Sequence, residues 1–231
     1  MGNYKFGNII SLLKKVFYNS FWVIAILIVL KILFQLFIYQ SGYRWLSADD
    51  YCRTVKSFEW LQKPEINSGV WLSPHFWVNG LFMVFIKDII FAAALVNIFF
   101  STLTLIFFYK LTEVCFDRKT AVISSLIFIF FPFQVWLSMS GLPESIFIFF
   151  VISGLYYLIL WEKNELKISF LLISSILIGL SNVFRYEGWV FSVVLVFLVI
   201  YRVIRNKTFD KKAIIYIPGV ITLGLFKIYK M

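Results

Sequence analysis

Charge, histidine and cysteine are all scarce in this sequence. Only 15% of its 231 residues are charged, whereas the surface of a soluble domain of this size needs about a quarter. Phenylalanine alone (28) outnumbers lysine and arginine together (22), which excludes an ordinary soluble globule, a disordered tail and a nucleic-acid-binding domain. One histidine, His75, and two cysteines, Cys52 and Cys115, leave no Cys/His cluster with zinc spacing and no disulfide framework. What the chain has instead is long apolar runs, and 61% of it is apolar. The reading is an all-α, polytopic transmembrane helix bundle. The net charge of +10 is then read as topology, since Lys and Arg collect in cytoplasmic loops.

Residues 1–19 carry Lys5, Lys14 and Lys15 beside Phe6, Ile9, Ile10, Leu13, Val16 and Phe17 at helical spacing, which predicts an amphipathic helix on the cytoplasmic membrane surface. A single transmembrane module is expected over 20–231. Its first span is 21–39, about 19 residues or roughly 30 Å of helix. Lys31 sits mid-span with Gln35 one turn on, either as a packed polar contact or as part of a substrate groove. Residues 40–88 form a long outer loop. Tyr51, Val55, Phe58 and Leu61 mark a short amphipathic helix broken by Pro64, and Ser73-Pro74 opens a second that is too short to span. Further apolar segments at 89–109, 121–137, 146–160, 168–180, 189–201 and 213–226 bring the total to about seven spans, with Pro132 kinking the third. A cytoplasmic N-terminus places Lys110, Arg118, Lys119, Lys163, Lys167 and the basic residues of 202–212 in inner loops. Reading 76–96 as a span would put that last cluster outside and is not adopted. The two cysteines fall on opposite sides and are not expected to pair.

This topology gathers Asp49, Asp50, His75, Glu144, Arg185 and Glu187 on the outer side. A carboxylate there can take a proton from an acceptor hydroxyl, and an arginine can grip and stabilise a leaving phosphate. Each residue also has a plainer role open to it. Ser47-x-x-Asp50 fits a capping box, Asp49 and Glu144 suit helix N-termini, Arg185 can snorkel to headgroups, Glu187 can pair with it, and His75 can be an interfacial polar residue.

Ser47-Ala48-Asp49-Asp50-Tyr51, Trp71-Leu72-Ser73-Pro74-His75, Asn97, Phe131-Pro132, Leu142-Pro143-Glu144-Ser145 and Phe184-Arg185-Tyr186-Glu187-Gly188, in that order and topological placement, resemble the GT-C superfamily of membrane glycosyltransferases. The resemblance covers about residues 20–205. It is to the family-39-like members related to dolichyl-phosphate-mannose–protein mannosyltransferases and lipid A sugar transferases. It implies transfer of a hexose or mannose-like sugar from a polyprenyl-phosphate donor to an acceptor hydroxyl on a glycan, lipid or protein, with inversion. By the same resemblance Asp49 is the general base and Asp50 holds the place of a second acid. Glu144 binds acceptor or orients the site, Arg185 holds the donor phosphate, and His75 lies beside the loop motif. Family members run longer, so the expectation is of their N-terminal module. No cofactor and no nucleic acid are expected, and the carboxylates neither require nor exclude a divalent cation. The expected location is a multi-pass integral membrane protein, in the cell membrane if prokaryotic. The competing readings are a non-enzymatic polyprenyl-lipid-binding or flippase-type subunit, which Lys31 would serve, and an inactive truncated module.

Overall fold

The structure is a computed structural model and describes residues 19–43, 47–64, 71–164 and 167–205. The amphipathic segment 1–18, the apolar run 213–226 and Lys207, Lys211 and Lys212 lie outside the described residues. Among the described residues every regular element is a helix: α1 Ser20–Gln40, α2 Ala48–Gln62, α3 Pro74–Phe85, α4 Ile89–Cys115, α5 Arg118–Phe130, α6 Pro132–Met139, α7 Glu144–Lys163, α8 Ile168–Asn182 and α9 Glu187–Arg205.

Local chemistry sets most of these boundaries. Asn19, Ser47, Asp88 and Asp117 are N-caps whose side chains accept backbone N–H bonds from Phe21, Asp50, Ile90 with Phe91, and Thr120 respectively. Each satisfies donors that the first helical turn leaves open. Pro64 stops α2 at Gln62, and Pro74 stands first in α3, although Ser73 makes no side-chain cap bond there. Pro132 divides the expected third span into α5 and α6, which bend by 62°.

Among the described residues four helices (α1, α4, α7 and α9) are long and apolar enough to cross a membrane, and the bent pair α5–α6 makes a fifth where it is counted as one span. At 15 residues α8 is shorter, about 22 Å. The described residues therefore carry the bundle without fixing the total at seven. Large apolar side chains such as Phe37 on α1 and Val190 and Phe197 on α9 face outward, as lipid requires.

α4 is the hub, touching α1, α2, α3, α5, α6 and α7, while α8 packs along α7 and α9 packs on α8. The contacts run over small residues. Ala92, Ala93, Ser101, Ser153, Gly154 and Ser174 are all buried, and a Cβ at Gly154 would lie 2.6 Å from Ile178 Cδ1. Small residues let backbones close together where lipid gives no hydrophobic drive between helices. Lys31 and Gln35 are buried in the same way. Gln35 Nε2 donates to Ser138 Oγ on α6 at 2.5 Å, and Lys31 Nζ lies 5.6 Å from the Phe128 ring centroid. The pair is thus a packed contact between α1 and the bent helix.

The ends of the bundle differ in chemistry. At one end Lys163 Nζ donates to the Val114 carbonyl, Arg202 pairs with Glu162, and Ser20 Oγ at the start of α1 donates to Glu113 at 2.7 Å. Lys110, Arg118, Lys119 and Lys167 belong to the same end by their places at the ends of α4, α5 and α8. The opposite end of α7, about 30 Å away, begins with Glu144.

Candidate active site at the Glu144 end

The α6–α7 connection, Ser140–Pro143, organises this end. Asp50 on α2 is only 1% exposed, and its Oδ1 accepts a hydrogen bond from the Gly141 N–H. Ser47 Oγ accepts from Asp50 N at 3.1 Å, which is one half of the expected capping box. The other half is absent, because the Asp50 carboxylate turns to the neighbouring loop instead. Gly141 permits this approach: a Cβ there would lie 2.5 Å from Thr54 Oγ1 and 2.6 Å from Asp50 Oδ1.

His75, in the first turn of α3, is fully buried, and its Nε2 is hydrogen-bonded to Asn79 Nδ2 at 2.8 Å. It is a core histidine rather than an interfacial one. Three residues beyond Gly141, Glu144 accepts from Arg185 Nη1. Arg185 also donates from Nε to Glu187 Oε2 at 3.1 Å and from Nη2 to Glu187 Oε1. One arginine is therefore shared by two carboxylates, a bidentate one from Glu187 and a partly buried one from Glu144. Glu187 first among these raises the Arg185 guanidinium above its ordinary range, burial opposing.

Asp49 faces the other way from Asp50. Its side chain is 51% exposed and pairs with Arg53 one turn on, at 2.8 Å between Oδ2 and Nε. Arg53 in turn stacks over Trp71, 5.1 Å from the ring centroid. Asp50, His75, Glu144, Arg185 and Glu187 thus cluster around one loop, with Asp49 on the exposed face of the helix that Asp50 anchors. Arg53, Thr54, Asn79 and Gly141 are the members that composition and spacing did not single out. The only sequence hint was the i, i+4 spacing of Asp49 and Arg53. Among the described residues no group of three or more His, Cys, Asp and Glu has a metal-binding arrangement.

Two buried groups here have opposite pH signatures. Burial raises the Asp50 carboxyl to about 6, the Gly141 N–H opposing and the charges of Asp49 and Glu144 adding. Burial lowers the His75 imidazole to about 3, the charge of Arg53 adding and the Gly141 backbone opposing. Between about pH 4 and 6 the folded state holds more protons at Asp50 than the unfolded state does, so this group makes stability fall as pH rises. Between about pH 3 and 6.5 the unfolded state holds more at His75, so that group makes stability rise with pH. The slopes oppose each other in the wild type. Thermal unfolding in detergent across this range is expected to show a stability that rises with pH in Asp50→Asn and falls with pH in His75→Gln. Parallel profiles in the two variants would contradict the burial of both groups.

The family profile described as dolichyl-phosphate-mannose-protein mannosyltransferase matches residues 74–229. The chain belongs to that family. It is a family of membrane glycosyltransferases of the GT-C type, which agrees with the helical, membrane-spanning architecture. No curated protein and no solved structure matches the chain. The mannosyltransferase-family match opens at Pro74, so it includes His75, Glu144, Arg185 and Glu187. Asp49 and Asp50 precede it, and their connection to the matched region is physical: the Asp50–Gly141 bond seats α2 on a loop inside the matched stretch.

Proposed function

We propose that the chain transfers a hexose or mannose-like sugar from a polyprenyl-phosphate donor to an acceptor hydroxyl of a glycan, lipid or protein. The observation that carries this reading is the gathering, around the Gly141 loop of a mannosyltransferase-family chain, of an exposed carboxylate, a buried one and a carboxylate-held arginine. Asp49 is the general base: it removes the acceptor proton as the hydroxyl oxygen attacks the anomeric carbon. The bond between that carbon and the phosphate oxygen breaks, its electron pair leaves with the phosphate, and configuration inverts. Arg185 receives the donor phosphate by exchanging the exposed Glu187 for it, while Glu144 keeps the guanidinium in place. Asp50 and His75 are positioning residues. They fix α2 and α3 against the loop and touch no substrate.

The reading also orients the protein. Basic residues crowd the Lys163 end, where α1 begins, so the positive-inside rule puts that end and the N-terminus in the cytoplasm and the site on the outer face. No cofactor is assigned, and the partners are the lipid-linked donor, the acceptor and membrane lipids.

The test is transfer by the full chain in nanodiscs, supplied with radiolabelled polyprenyl-phosphate sugars and a crude acceptor extract. Wild type is expected to transfer label. Arg185→Ala is expected to lose donor affinity at least tenfold, leaving Glu144 and Glu187 facing each other without their cation. Transfer by Arg185→Ala with an unchanged donor KM would remove Arg185 from the donor site.

A further inference from the structure

We propose that Arg53 is an oxyanion-binding residue beside Asp49, taking a phosphate oxygen of a substrate on its two terminal nitrogens. The inference rests on the glycosyltransferase reading for the identity of the phosphate, but its geometry is independent of it. Arg53 uses only Nε on Asp49, at 2.8 Å. Its guanidinium lies over the Trp71 ring, 5.1 Å from the centroid, and its side chain is 14% exposed, so the indole holds it in place while part of it still reaches solvent. Among the described residues Nη1 and Nη2 carry no hydrogen bond. Arg185 is the contrast: Nε, Nη1 and Nη2 are all engaged by Glu144 and Glu187.

A second cation strengthens the case. Lys56 Nζ lies 5.4 Å from the centroid of the same Trp71 ring, so two positive groups sit on one indole, and one of them is paired with Asp49. The local field favours an anion, and a guanidinium edge matches two phosphate oxygens. An anion bound there would sit one helical turn from the carboxylate proposed as the base, where a reacting phosphate or a phosphate on the acceptor would lie.

The probes are decaprenyl phosphate, decaprenol and inorganic phosphate, with the full chain in zwitterionic nanodiscs. Arg53→Gln is expected to weaken decaprenyl phosphate at least tenfold and to leave decaprenol unchanged, which assigns the oxyanion to the donor. Loss of inorganic phosphate binding alone assigns it to a phosphate on the acceptor. Arg53→Lys keeps the charge but lacks the planar fork, and it is expected to bind at intermediate strength, which guards against a Gln variant that fails to fold. Wild-type affinity for both phosphates in both variants overturns the proposal. Should wild type transfer sugar while these affinities stay unchanged, the Arg53 inference fails and the glycosyltransferase reading stands. Arg53-dependent phosphate binding without transfer by wild type gives the reverse.

Discussion

Asp49→Asn is expected to lower transfer by about a hundredfold to ten-thousandfold, the range a positioned general base contributes, without changing insertion or thermal stability. The expectation follows from where Asp49 stands. Its side chain is half exposed, and it pairs with Arg53 on the same helix. An exposed i, i+4 pair contributes only about 0.5 kcal/mol, so the substitution removes chemistry without removing structure. Asparagine keeps the shape and still accepts from Arg53 Nε through its amide oxygen. Asp50→Asn is the matched control. Asp50 is buried, its Oδ1 is occupied by the Gly141 N–H, and its Oδ2 has no hydrogen-bond partner. No acceptor hydroxyl reaches it in this arrangement, so its variant is expected to act through the placement of α2, with donor and acceptor KM rising more than kcat falls. The opposite pattern, an active Asp49→Asn and an inactive Asp50→Asn, would move the base to Asp50, whose carboxyl at about 6 is poised for that work.

The parts of the fold that were legible in the sequence are those set by local chemistry. Pro64 and Pro74 act on their own turns, Pro132 bends its own helix, and capping at Ser47 needs only the next three residues. α4 exceeded the expectation. Its hydropathy fades after Tyr109, yet the helix runs on to Cys115, where Glu113 accepts from Ser20 on α1 and Lys163 on α7 donates to the Val114 carbonyl. A polar turn stays helical when a neighbouring helix partners it, and hydropathy along one segment carries no record of that neighbour. Lys31 posed the same difficulty. Sequence left open whether it was packed or functional, and its packing shows only in its placement against Phe128, beside a Gln35 bonded to Ser138.

The site was legible as a set of residues on one side of a topology and illegible as an arrangement. Which of two adjacent acids is buried depends on the helical phase of α2 against a loop 91 residues later in the chain. The sharing of Arg185 by Glu144 joins positions 41 residues apart. Neither periodicity nor motif spacing encodes such pairings. Gly141 shows why: within Ser140-Gly141-Leu142-Pro143-Glu144 it looks like a turn residue, and its value is the room it leaves for another helix.

Gly141→Ala is therefore expected to be the most damaging single change outside the titratable residues. A Cβ at this position would meet Thr54 Oγ1 at 2.5 Å and Asp50 Oδ1 at 2.6 Å, both closer than real Cβ contacts come, with Ala93 Cβ at 3.4 Å behind them. Neither contact can swing aside. Thr54 and Asp50 are buried on consecutive turns of α2, and Asp50 Oδ1 is held by the N–H of the glycine itself. Relief comes only if α2 withdraws, which breaks that bond and leaves a buried carboxylate without its donor. Overpacking costs about 1–3 kcal/mol and an orphaned buried acceptor a further 1–3 kcal/mol, so a substantial loss of thermal stability is expected. Transfer is expected to fall at least tenfold, because α2 carries Asp49 away from the Glu144–Arg185 pair. Thr54→Ala removes one of the two obstructing atoms, so the double variant Thr54→Ala/Gly141→Ala is expected to regain part of both losses relative to the sum of the singles. Thermal unfolding and transfer measured on the four chains test this directly. Additive losses would show that α2 does not rest on the Gly141 loop through Thr54 and Asp50.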